Sequence, residues 1–104
     1  MEKKKLFISQ PMKGKTEEEI RKERENAVIS AKEILKEEVE VIDSYIYEDQ
    51  QNHTDNDLWC LGRSIMIMSV VDIVCFAKGW SEARGCKIEH ECAVQYGKKL
   101  LELQ

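Results

Sequence analysis

The sequence predicts an α/β domain: a short, mainly parallel sheet of four strands flanked by helices. Three observations predict it. Short apolar runs alternate with stretches whose apolar residues recur every three or four positions. The run Val70 to Ala77 is apolar everywhere except Asp72, as a strand buried on both faces of a parallel sheet reads. A length of 104 residues fits one domain, residues 1–104, around one core.

The elements follow in order. Leu6 to Ser9 is a first strand that stops at Gln10-Pro11. The loop Gln10 to Lys15 leads to Thr16, which opens a helix with Glu19 three residues later as its capping-box partner. Glu17, Glu18 and Glu19 suit the positive end of the helix dipole. Ile20, Ala27, Ala31, Ile34 and Leu35 form an apolar stripe, so the helix spans roughly 16–37. Val39 to Ile42 is a second strand, and Tyr45 to Asp57 is polar and reads as a loop. Leu58, Leu61, Ile65 and Met68 predict a helix over roughly 56–69. The buried run Val70 to Ala77 is the third strand. A last helix runs from about Ala83 to Tyr96, with Ile88, Cys92 and Tyr96 on one face and Gly97 as terminator. Leu100 to Leu103 is a short fourth strand.

This β-α-β-α-β-α-β order is three-layered and Rossmann-like, of flavodoxin-like build. Right-handed crossovers put the loops after the strands on one side. Ligands in such sheets lie at the carboxyl ends of the strands. Three loops meet there: Ser9 to Thr16, Asp43 to Tyr47 and Ala77 to Glu89.

The net charge is -4 and the pI about 5.3. An acidic balance argues against a nucleic-acid polymer or a membrane surface as partner, since both call for a basic face. No apolar run approaches the roughly 20 residues of a membrane span. Leu6-Phe7-Ile8 is too short for a signal-peptide core. Cysteines 60, 75, 86 and 92 form no CxxC pair, and reduced thiols in a cytoplasmic protein are expected. Cys86 and His90 share a helical face but lack two further ligands of evident spacing, so no metal or cofactor is expected.

Glu89 follows the most buried strand at the opening of a helix, and a carboxylate there sits at the rim of the cleft. The helix N-terminus is expected to favour its ionised form. An ionised carboxylate facing a sugar is what a glycosyl-transferring nucleophile requires. The loop Gln10-Pro11-Met12-Lys13-Gly14-Lys15-Thr16 offers amides, two lysines and a hydroxyl to a phosphate, without P-loop spacing. Trp80, in the loop that contains Gly79, is a candidate to lie against a base.

Three segments resemble the nucleoside 2-deoxyribosyltransferase-like superfamily, most closely its small phage and bacterial members. They are Phe7-Ile8-Ser9-Gln10-Pro11-Met12, Val71 to Phe76, and Gly79 to Ala93 with Gly85, Glu89 and, four residues on, Ala93. The resemblance implies that Glu89 attacks the anomeric carbon of a 2-deoxyribosyl group. It also implies that the small-molecule partner is a nucleoside or nucleotide; the residues expected to hold it are Ser9, Gln10, Pro11, Met12, Ser44, Ser64, Gly79, Gly85 and, on their own chemistry, Trp80 and Arg84. The chain departs from the family twice. Ser64 stands where the enzymes usually carry an aspartate, and a hydroxyl is a poor acid or base near neutrality. Ala83 stands where they tend to have Ser or Asp; Arg84 beside it is a bidentate donor suited to phosphate. The family's enzymes often complete their site from a neighbouring subunit, so a homodimer or higher homo-oligomer is expected. A nucleotide-binding module without turnover is the alternative expectation.

Overall fold

The computed structural model describes residues 3–42 and 56–104. Four strands form one sheet: β1 (Lys4–Ser9), β2 (Val39–Ile42), β3 (Ile73–Phe76) and β4 (Lys99–Glu102). Their spatial order is β2-β1-β3-β4, and every neighbouring pair is parallel. Three helices flank it: α1 (Glu17–Leu35), α2 (Asn56–Met68) and α3 (Arg84–Gln95). A single 3₁₀ turn, Trp80–Glu82, precedes α3. This is a Rossmann-like α/β layout.

Alternation along β1 divides the core in two. Leu6 and Ile8 pack with Ala27 and Ala31 of α1 and with Ile73 and Cys75 of β3. Phe7 packs on the other face with Val74 and Phe76 of β3, Met68 of α2 and Ala93 of α3. The side-chain period of two in a strand is the cause. It also sends the next two residues apart, Ser9 toward α3 and Gln10 toward α1. The chain steps one way from β1 to β2 and the other way from β3 to β4. The carboxyl ends of β1 and β3 are therefore the topological switch point, where ligands of open α/β sheets bind.

α1 starts as its sequence predicts. The Thr16 hydroxyl accepts the Glu19 N–H at 3.1 Å, and the Glu19 carboxylate accepts the Thr16 N–H at 2.9 Å. Those hydrogen bonds hold the Glu19 carboxyl below its ordinary range. The helix ends at Lys36, which is left-handed at φ 57° and donates to the Lys32 carbonyl. Ile34, placed by its spacing on the buried stripe, is 56% exposed.

β3 is shorter than the apolar run suggests. The amides of Ser69, Val70 and Val71 are used in turns that wind down the end of α2, so Val70 and Val71 do not join the ladder. Asp72 then locks the strand start. Its N–H donates to the Lys5 carbonyl at 2.9 Å, and its carboxylate accepts the Lys5 N–H at 2.8 Å. Asp72 is thus a strand-to-strand clamp at the end of the sheet remote from the loops.

α3 is rotated from the face that its apolar spacing predicts. Cys86, Glu89 and Ala93 point inward, while Ile88 is 40% and Tyr96 83% exposed. Space above Phe7 and Phe76 admits the small Ala93, and Ser9 supplies Glu89 with a hydrogen bond. Among the described residues, no helix is long and apolar enough to cross a membrane.

Candidate functional site

The site is built where β1 ends. Ser9 is the last residue of the strand and is almost fully buried. Its hydroxyl donates to Oε1 of Glu89 at 2.5 Å, across 80 residues of sequence. The Ser64 side chain, from α2, lies near enough to the same carboxylate to oppose its rise in pKa. The Cys86 thiol lies near them, within reach of the influence of the Ser9 hydroxyl and the Glu89 charge. Three elements distant in sequence thus converge on one acid: β1 brings Ser9, α2 brings Ser64, and α3 brings Cys86 and Glu89.

Glu89 is 7% exposed. Burial pushes its carboxyl above the ordinary value of 4.5, and the hydroxyls of Ser9 and Ser64 oppose that rise. The expectation that the helix N-terminus favours the ion is corrected here. α3 begins at Arg84, which makes Glu89 its sixth residue, and dipole stabilisation fades beyond the first turn. Burial also raises the Cys86 thiol to about 11, with Ser9 lowering it and the Glu89 charge adding to the rise.

The loop after β3 is fixed by ring contacts. Trp80 and His90 stack at 4.3 Å with planes 13° apart, and Phe76 meets His90 edge-on at 4.9 Å. His90 Nε2 lies 2.5 Å from the Glu102 carboxylate at the end of β4. One face of Trp80 is therefore taken by an imidazole of the same chain. Gly79, at φ 89°, sits against the first loop; a Cβ there would lie 3.6 Å from Pro11. Gly85 precedes Glu89 by one helical turn on the same face, and nothing lies within 4 Å of where its Cβ would be. Open space therefore adjoins the helix at that level. Ala83, the N-cap of α3, offers no side-chain cap to its first amides.

The chain matches no protein-family model, no curated protein and no solved structure.

The other residues singled out in the sequence are distributed as follows. Pro11 and Met12 are half-buried in the loop after β1. Gln10 is buried and turned away from Glu89, its Nε2 donating to the Ile20 carbonyl at 3.0 Å. The Thr16 hydroxyl serves the helix cap, and the Lys15 ammonium contacts both Glu23 carboxylate oxygens at 2.5 and 2.6 Å. Two of the groups that the first loop offered to phosphate, the Lys15 ammonium as donor and the Thr16 hydroxyl as acceptor, thus have partners within the protein. Arg84 is 79% exposed and 3.5 Å from Asp57 at the start of α2. Ser44 and the segment Asp43 to Tyr47 lie outside the described residues. Cys86 was missed as a neighbour of the carboxylate; its position three residues before Glu89 on a helix was the available signal. The His90–Glu102–Trp80 arrangement carried no sequence signal, because it joins a loop, a helix and the last strand.

Proposed function

We propose that the protein cleaves or exchanges the N-glycosidic bond of a deoxynucleoside or deoxynucleoside 5′-monophosphate through Glu89, as a nucleoside 2-deoxyribosyltransferase-like protein. The observation that carries this reading is the buried Ser9–Glu89 hydrogen bond at the carboxyl end of β1, on the switch point of the sheet. A carboxylate held by the Ser9 hydroxyl where ligands bind is a fixed nucleophile with a restricted approach.

In the first step a Glu89 oxygen forms a bond to the anomeric carbon. The bond from that carbon to the base breaks, its electron pair goes to the ring nitrogen, and the base takes a proton from solvent. In the second step water, or the ring nitrogen of another base, bonds to the anomeric carbon. The ester bond to Glu89 breaks and returns its electrons to the carboxylate; the attacking water, or the incoming base, gives one proton to solvent. Ser9 fixes one carboxylate oxygen throughout. Ser64 and Cys86 are too weakly acidic to protonate the leaving base. The open space at Gly85 and the uncapped start of α3 suit the 5′ end of the ligand. The exposed Arg84–Asp57 pair is weak enough for a phosphate to replace.

Incubation with deoxynucleosides and their 5′-monophosphates, followed by chromatography for free base, tests the reading. Base release that vanishes in Glu89→Ala is expected. Because Glu89 must be ionised to attack, and burial raises its pKa, release is expected to fall on acidification at a pH above the ordinary glutamate range. Release that persists in the variant refutes the assignment of Glu89.

The raised carboxyl of Glu89 and the hydroxyl at Ser64 favour a second reading, a nucleotide-binding module without turnover. It predicts no base release but clear thermal stabilisation by nucleotide, ~2.7 kcal/mol at a hundredfold excess over the dissociation constant. Assembly as a homodimer belongs to the same proposal and is tested by sedimentation.

A further inference from the structure

α3 is held to the sheet by two consecutive residues. Ser9, Phe76 and Glu102 are register partners, one row across the carboxyl ends of β1, β3 and β4 with β3 in the middle. Glu89 meets the β1 end of that row, where it accepts from the Ser9 hydroxyl at 2.5 Å. His90, the next residue, meets the β4 end, where its Nε2 lies 2.5 Å from Oε2 of Glu102. A carboxylate oxygen accepts, so the imidazole donates. Consecutive side chains on a helix point about 100° apart, which lets one turn reach the strands on either side of β3.

The imidazole is seated on three sides. Phe76, in the middle of the row, meets it edge-on at 4.9 Å, and Trp80 stacks on its face at 4.3 Å. Trp80 is in turn tilted against Phe76 at 5.5 Å. Glu102 takes the ring nitrogen. The consequence is rotational. Any turn of α3 about its axis moves both side chains, because both leave the same turn of the helix. Such a turn has a driving force: Ile88 and Tyr96 are exposed as the helix stands and would gain burial by moving inward. A seated His90 opposes it from the β4 side, as Ser9 does from the β1 side.

We infer that His90, oriented by Glu102 and Trp80, is a positioning residue for Glu89: it fixes the rotation of α3 that sets the carboxylate against Ser9. It acts through the helix and not by touching a ligand. The placement of Glu89 stands on this geometry alone; its consequence for turnover rests on the proposed function. The pair is partly exposed, 21% at His90 and 44% at Glu102, so the effect of breaking it is modest.

Carbon-13 NMR of protein labelled at its glutamate carboxyls reads the titration of Glu89, whose signal is assigned by its absence from Glu89→Gln. Glu102→Ala, at an exposed position on the edge strand, is expected to let Glu89 turn toward water. Its titration midpoint then falls by roughly 0.2–0.7 of a pH unit, the reach of a partly exposed pair. His90→Phe, which keeps a ring for Trp80 and loses the donor, is expected to lower it too. Glu102→Gln keeps an acceptor for Nε2 and is expected to bring the midpoint most of the way back to that of the parent. Equal movement in the alanine and glutamine variants would report only the lost charge of Glu102, and overturns the inference. A midpoint that stays in place in Glu102→Ala overturns it as well. So does one that moves as far in Asp72→Ala, which opens the clamp at the other end of the sheet. In the base-release assay Glu102→Ala is expected to lower kcat by up to about fivefold with KM little changed. A loss confined to KM overturns the positioning role. A protein that releases no base refutes the glycosyl reading only, because the titration needs no turnover.

Discussion

Replacing Glu89 with glutamine is expected to stabilise the protein at neutral pH while removing any chemistry that needs a carboxylate. Glu89 is 7% exposed, and burial raises its pKa above 4.5 against the pull of Ser9 and Ser64. In the unfolded chain the group ionises near 4.5. Below that pH the carboxyl is neutral in both states, and its full contribution to stability is present. As the pH rises past 4.5, the unfolded chain releases a proton that the folded protein still holds. Stability is lost progressively until the folded pKa is passed and is constantly lower above it. The glutamine variant does not titrate, so a gap in its favour opens above pH 4.5. The Ser9 hydroxyl remains a partner for the amide, so the difference is set by charge. It is on the order of 1 kcal/mol, the low end for an imperfectly compensated buried group. In a domain of this length, 1 kcal/mol is about 4–8 °C in Tm. Thermal unfolding followed by circular dichroism at a series of pH values from acid to neutral measures it for both proteins. A variant less stable than the parent at every pH, or a gap that does not change with pH, refutes the reasoning.

Ser9→Ala removes a donor to a buried carboxylate and is expected to cost about 1.5–3 kcal/mol at neutral pH and less in acid, where Glu89 is protonated. Denaturant titrations at two pH values check it, and an equal cost at both contradicts the assignment. Alkylation with iodoacetamide followed by mass spectrometry is expected to reach the half-buried Cys60 and Cys92 first. Cys75 and Cys86, buried with thiols raised to about 12 and about 11, are protected until the protein unfolds. Early modification of Cys86 would show that its surroundings are open. Gly79→Ala is expected to cost about 1–2 kcal/mol through its φ of 89°, since the added Cβ would meet Pro11 at an ordinary 3.6 Å. Unchanged stability would mean that the loop adopts another conformation.

The fold was legible because its signals are local. The Thr16–Glu19 capping box and the alternation of short apolar runs with helical spacing each need only a few neighbouring residues, and both are present. β2 begins and ends at Val39 and Ile42 as its short apolar run predicts. Errors arose where a tertiary contact overrides the local pattern. Val70 and Val71 are apolar enough for a strand, yet the unwinding end of α2 uses their amides. Ile88 and Tyr96 are spaced for burial, yet α3 turns Cys86, Glu89 and Ala93 inward instead. In the site, Glu89 was singled out from its place after the buried strand, and Ser9 and Ser64 from the family resemblance, but the Ser9–Glu89 hydrogen bond was not foreseen. A bond across 80 residues has no periodic trace.

The rotation of α3 and the burial of Glu89 are one fact. A helix with Ile88, Cys92 and Tyr96 available for packing exposes two of those three and buries a glutamate. Hydrophobic burial alone favours the opposite choice. The inward face is tolerated because Ser9 at the end of β1 supplies its hydroxyl to the carboxylate, with Ser64 of α2 nearby, and because Ala93 is small enough to lie over Phe7 and Phe76. Those hydroxyls offset only part of the cost, as the raised carboxyl records. Local preference and tertiary arrangement therefore disagree at position 89, at the one edge of the sheet where its topology makes room for a ligand. Sequences that are otherwise self-consistent concentrate such disagreements at functional sites. On that ground Glu89, rather than the exposed charges of α1 or the engaged lysine of the first loop, is where activity is to be sought.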